Sequence, residues 1–144
     1  MATRNGSAEW RGDLKGGDGT VKVGDGVFEG AYSFSSRFEE GEGTNPEELL
    51  AAAHAGCFAM ALSLIIGEDG HTPESLRAQA KVQLRNVDGV PTIAHIDLDV
   101  EGSVPGIDED AFRGYAEKAK AGCVVSRALA GVPEIELKAS LAGS

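Results

Sequence analysis

The chain has 144 residues, 42% of them apolar and 25% charged, which suits one domain with one hydrophobic core, expected over residues 1–144. Its net charge is −10 at pH 7 and no block of Lys or Arg stands out, which excludes the basic face that nucleic acid requires. Met1 to Trp10 is polar, so no signal peptide is expected. The two cysteines, Cys57 and Cys123, then read as reduced thiols in a cytoplasm, where a disulfide is more often transient and catalytic than structural. There is no CxxC motif and no close Cys/His pairing, so neither a metal nor any other cofactor is expected.

In chain order, the first forty residues are rich in Gly and short apolar alternations. Gly6 to Gly12, Thr20 to Val23 and Val27 to Phe34 read as strands joined by turns at Gly16-Gly17 and Gly24-Asp25-Gly26. Asn45-Pro46-Glu47-Glu48 reads as a helix start, with Asn45 at the N-cap, Pro46 at the first helical position and Glu48 placed to reach back as a capping-box carboxylate. This helix is expected to run to about Ile66 and stop at Gly67.

From Leu49 to Ile66 there is no charged residue, a length that could cross a bilayer. The stretch is heavy in Ala, carries His54 and Ser63, lacks a basic flank and lies between strand-like segments, so no membrane span is expected. A helix apolar on every side must be buried on every side, and one small sheet covers only one. The other side calls for a second helix or a second subunit.

Farther on, Leu76 to Arg85 alternates apolar residues with basic and amide ones, and Ala94 to Glu101 alternates apolar residues with His95, Asp97, Asp99 and Glu101. A turn at Asp88-Gly89 and complementary polar faces favour a hairpin. A helix from about Asp108 to Gly122, a short one from Val124 to Ala130 and a final strand from Glu134 to Leu141 complete an α+β layout with mostly antiparallel sheet.

The residues that could carry chemistry each have a structural alternative. Cys57, inside the apolar helix, reads on position alone as a small buried hydrophobe. Cys123, directly before a helix, lies where a thiolate is favoured. Arg37 reads either as a solvated residue on a strand end or as a cation stabilising a thiolate and a leaving alkoxide. Glu47 reads as a carboxylate favoured by the dipole in a first helical turn. The three histidines, His54 in the helix, His71 in a turn and His95 on the polar face of a strand, form no ligand set and are expected to be structural.

Thr44-Asn45-Pro46-Glu47-Glu48-Leu49-Leu50, followed by Ala53-His54-Ala55-Gly56-Cys57-Phe58-Ala59-Met60-Ala61-Leu62-Ser63, resembles the signature of the OsmC/Ohr family of osmotically induced and organic hydroperoxide resistance proteins. Lys118-Ala119-Lys120-Ala121-Gly122-Cys123 resembles its second cysteine motif, and the resemblance extends over nearly the whole chain. Tyr32 to Glu39 and Val104 to Asp108 are similar to the OsmC branch, as is Arg37 close before the helix, whereas Ohr proteins place this arginine nearer the N-terminus. One departure is Val124, where many OsmC-like sequences have Pro.

The resemblance implies the OsmC-like fold with a long buried central helix, an interwound homodimer, and cysteine-based reduction of organic hydroperoxides with an external dithiol as reductant. It implies Cys57 as the peroxidatic thiol, Cys123 as the resolving thiol, and Arg37 with Glu47 as the assisting pair. Apolar residues around Cys57, Phe58 and Met60 among them, are expected to favour alkyl hydroperoxides over hydrogen peroxide. The competing readings are a non-enzymatic dimer that binds apolar small molecules and a redox sensor. Glu47 and Cys57 lie ten residues apart on one helix, ~15 Å along its axis at about 1.5 Å per residue. Two such helices packed antiparallel about an axis near Ala52 would bring Glu47 of one level with Cys57 of the other, so Glu47 is expected to act across a dimer.

Overall fold

A computed structural model describes residues 2–142. The chain forms two compact units, Met1–Leu49 and Leu50–Ser144. Among the described residues each unit holds one three-stranded sheet.

The first unit is an antiparallel meander of β1 (Gly6–Arg11), β2 (Asp18–Val23) and β3 (Phe28–Tyr32). It is followed by a short helix, α1 (Phe34–Phe38), where the sequence predicts a strand end. The reason is a reciprocal cap. The Ser33 Oγ accepts from the Ser36 N–H at 3.0 Å, and the Ser36 Oγ accepts from the Ser33 N–H at 2.8 Å. Serine in the place of the usual Glu or Gln conceals that box in the sequence.

The long helix α2 (Pro46–Glu68) starts where expected and runs through Gly67 to Glu68. Asn45 Oδ1 accepts from the Glu48 N–H at 2.8 Å, as an N-cap does. Glu48 does not complete the capping box, because its Oε1 accepts from the Thr44 hydroxyl at 3.1 Å.

In the second unit, β4 (Ser75–Val87) and β5 (Val90–Ser103) form the expected hairpin, turning at Asp88 and Gly89 with φ of 51° and 82°. Positive φ at both central residues gives the turn the twist that hairpins favour. The register sets Arg77 opposite Glu101 and Lys81 opposite Asp97, so the basic and acidic faces do pair. After α3 (Glu109–Gly122) and α4 (Val124–Ala128), β6 (Glu134–Leu141) adds parallel to β5, beside an otherwise antiparallel sheet.

The core of this unit is built by Phe58, Leu62 and Ile66 from α2, Leu98 and Val100 from β5, and Phe112, Ala116 and Ala119 from α3. Gly102 is required for it, since a Cβ there would lie 2.6 Å from the Phe112 ring.

Helix α2 is not covered on every side within one chain. His54, Phe58, Leu62 and Ile66, four apart, form a stripe that is fully buried. The opposite stripe, which includes Gly56, Met60 and Leu64, faces outward, with Met60 77% and Leu64 66% exposed. By length and composition alone α2 could cross a membrane. Its buried stripe is instead a wall of a protein core.

Candidate active site

The first unit builds an arginine–glutamate fork. The Ser36 Oγ donates to the Thr44 carbonyl at 2.7 Å, and the Asn45 Nδ2 donates to the Ser36 carbonyl at 2.9 Å. These bonds fold the segment between α1 and α2 back on itself and bring Arg37 over the first turn of α2. There Arg37 Nε donates to Glu47 Oε1 at 2.8 Å and Arg37 Nη2 donates to Glu47 Oε2 at 3.1 Å. A bidentate fork fixes the guanidinium plane as well as its position. Glu47 lies in the first turn of α2, as its position suggested, and is only 8% exposed. Arg37 lies on helix α1, not on a strand end, and remains partly exposed.

Beside Arg37 is a groove of about 230 Å³, walled by Trp10, Leu14, Tyr32, Phe34 and Phe38. The Arg37 guanidinium lies 5.3 Å from the Phe38 ring centroid, and the Trp10 and Tyr32 centroids are 5.3 Å apart. The expected apolar lining was Phe58 and Met60. Around Cys57, Phe58 is a core residue and Met60 faces outward; the aromatic wall beside Arg37 is built within the first unit. The i,i+4 spacing of Phe34 and Phe38 was the available signal, hidden because no helix was expected there.

The second unit brings the two thiols together. Cys123 is the N-cap of α4 without a side-chain cap hydrogen bond, and its sulfur feels the Cys57 thiol, the Ser126 hydroxyl and the backbone N–H groups of Val125 and Ser126. Burial pushes the Cys123 thiol up, but the Ser126 N–H, the Cys57 thiol, the Ser126 hydroxyl and the Val125 N–H outweigh it, so its pKa is lowered. Cys123 is 1% exposed, whereas Cys57 is partly exposed. Val124 begins α4 and its side chain is exposed.

The histidines differ in role. His71 lies in a loop, its ring about 3.4 Å from where a Cβ on Gly106 would stand. His54 is fully buried, and its Nε2 is 2.7 Å from the Ser126 Oγ. His95 Nε2 contacts Asp97 Oδ1 at 2.8 Å and its Nδ1 contacts Glu134 Oε1 at 2.8 Å. His95, Glu134 and Glu136 are close enough to share a cation, but both imidazole nitrogens already have carboxylate partners.

That cluster makes stability depend on pH in a defined way. The Asp97 hydrogen bond raises the His95 pKa against the effect of burial, helped by the charges of Asp97, Glu134 and Glu136. The same bond lowers the Asp97 pKa against burial, with Lys81 adding to it. The His95 contribution is complete below its ordinary value of about 6.5 and is lost as pH rises through the raised value. The Asp97 contribution is present above its ordinary value of about 3.9 and is lost as pH falls through the lowered one. We expect His95→Gln to lower the urea midpoint more at about pH 5.5 than at about pH 9. An equal loss at both pH values would contradict the charged pair.

A buried thiol on a helix cap and a partly exposed one packed against the same core suit thiol redox chemistry. The chain belongs to the OsmC-like proteins, whose family model matches residues 39–138, a span that includes Glu47, Cys57 and Cys123. It is 52% identical over 127 residues to Peroxiredoxin OsmC of Escherichia coli K12, which covers 88% of this chain and 89% of that protein. It is 30% identical over 100 residues, 67% of each chain, to the organic hydroperoxide resistance protein of Xanthomonas axonopodis pv. citri. The crystal structure of the organic hydroperoxide resistance protein OhrB of Bacillus subtilis superposes with a TM-score of 0.72 at 25% identity, over 95% of this chain and 97% of that one.

Proposed function

We propose that this chain is a cysteine-based peroxidase that reduces organic hydroperoxides to alcohols, acting in the cytoplasm as one functional domain over residues 1–144. The observation that carries the assignment of roles is the contact between two thiols of unequal exposure. A peroxide can reach the partly exposed Cys57, not the buried Cys123.

The Cys57 thiolate attacks the outer peroxide oxygen, the O–O bond breaks, and the alkoxide leaves as an alcohol after taking up a proton. Cys57 becomes a sulfenic acid. The Cys123 thiolate attacks the Cys57 sulfur, expels the oxygen as water and closes a disulfide. An external dithiol reduces that bridge by two successive exchanges, the second intramolecular and therefore fast. The always-charged guanidinium of Arg37, held by Glu47, offsets the cost of a thiolate in an apolar setting and stabilises the departing alkoxide.

The outward stripe of α2 supports a homodimer with these helices at its centre. Large apolar side chains such as Met60 and Leu64 stand clear of their own chain, and a two-fold axis buries the same patch twice.

The groove of Trp10, Leu14, Phe34 and Phe38 supports an apolar substrate tail. Partly burying a tert-butyl group at about 0.8 kcal/mol per carbon gains about 2 kcal/mol, ~30-fold in kcat/KM. Peroxide consumption with a dithiol reductant is therefore expected to be ~30-fold more efficient with tert-butyl hydroperoxide than with hydrogen peroxide. Equal efficiency would remove the organic-substrate reading, and no consumption of either would remove the peroxidase.

A further inference from the structure

A buried histidine stands behind the resolving thiol. His54 lies on the fully buried stripe of α2, one turn before Phe58, and reaches Ser126 of α4, 72 residues away in sequence, at 2.7 Å. Its other nitrogen, Nδ1, is the one buried side-chain N or O atom without a hydrogen-bond partner among the described residues. That asymmetry fixes the tautomer. An orphaned N–H is rarer in a protein interior than an unfilled acceptor, so the proton belongs on Nε2 and Nδ1 keeps a bare lone pair. Burial lowers the His54 pKa and keeps the ring neutral, so it is a donor with no charge to desolvate.

The consequence is directional. Once the Ser126 Oγ accepts from His54 Nε2–H, its own proton is free to point away from the ring, toward Cys123, which caps the same short helix three residues earlier. A serine in a helix otherwise tends to turn its hydroxyl back to a carbonyl one turn earlier. We propose that His54 is a positioning residue for the resolving step, locking the Ser126 hydroxyl as a donor to the Cys123 thiolate.

The line of donors then runs from His54 Nε2–H to the Ser126 O–H to the Cys123 sulfur, alongside the N–H groups of Val125 and Ser126 and the Cys57 thiol. Cys57 is the one other titratable group among these partners. When Cys57 is oxidised to the sulfenic acid its thiol proton is no longer available, and the Ser126 hydroxyl is the side-chain donor left on Cys123. Chained hydrogen bonds in a low-dielectric interior reinforce one another, which extends the influence of His54 to a sulfur it does not touch. The resolving role itself rests on the peroxidase reading above.

The test separates the two. In a Cys57→Ser protein the thiolate absorbance reports Cys123 alone, without peroxide. Ser126→Ala and His54→Phe in that background should each raise the ionisation midpoint by about one unit, a ten-fold loss of thiolate below it. His54→Gln, which keeps a donor near the same place, should restore most of the shift. With both cysteines present, His54→Phe should prolong the dimedone-trappable sulfenic acid about ten-fold, because a smaller thiolate fraction slows disulfide closure. If His54→Phe does not fold, Ser126→Ala and His54→Gln still decide. Midpoints unmoved in folded variants, or a His54→Gln shift equal to that of Ser126→Ala, would overturn the proposal. A shifted midpoint with no sulfenic acid on Cys57 would uphold the link from His54 to Cys123 and overturn the peroxidase roles instead.

Discussion

Cys57→Ser is expected to abolish peroxide consumption, to less than about one part in a thousand, because a neutral hydroxyl cannot replace a thiolate as the attacking group. Cys123→Ser is expected to do something different. It should consume one equivalent of peroxide per chain and stop, leaving a sulfenic acid on Cys57 that dimedone traps and mass spectrometry locates. The asymmetry follows from exposure. Cys57 is partly open, while Cys123 is buried against it at the cap of α4. Without Cys123 nothing closes the disulfide, and excess peroxide should drive Cys57 onward to the irreversible sulfinic acid. Retention of most turnover by Cys57→Ser would reverse the assignment and make Cys123, the thiol with the lowered pKa, the attacking group.

The parts of the fold that the sequence made legible are those whose signals are local and strong. The Asn45-Pro46 start of α2, the alternation in β4 and β5, and the Asp88-Gly89 turn are all written in adjacent residues, and all are present. Helix α1 was illegible because five residues show no periodicity and its capping box uses Ser36 in place of an acid. The aromatic groove beside Arg37 followed from that miss.

Glu47 was ambiguous for a different reason. A first-turn carboxylate is favoured by the helix dipole wherever it occurs, so its type and position cannot reveal that Arg37 grips it in a half-buried fork. His54 was read as structural because nothing near it in sequence could bond it; Ser126 comes from the far end of the chain. The meeting of Cys57 and Cys123 is equally non-local, and it entered through the family resemblance, not through spacing.

The fork and the thiols remain to be joined. Arg37 is tied to Glu47 at the start of α2, and Cys57 lies ten residues further along the same continuous helix, ~15 Å away along its axis. That span exceeds the reach of a guanidinium held in a bidentate grip. If two copies of α2 pack antiparallel near Ala52, the fork of one comes level with Cys57 of the other, and each active site is assembled from both subunits. Cys57→Ser and Glu47→Ala homodimers should then each be dead or crippled, since each lacks one half of both sites. Refolding an equal mixture should restore activity. Half the dimers are mixed and each carries one intact site, so recovery should approach about a quarter of the wild-type level by the two-fold symmetry. A Cys57→Ser and Arg37→Met mixture should recover likewise. The deciding measurement is the peroxidase rate of the refolded Cys57→Ser and Glu47→Ala mixture, with mixed dimers confirmed by mass: about a quarter of wild type is the expected result for sites shared between two chains, and a rate no higher than that of the Glu47→Ala parent would show that each chain builds its site alone.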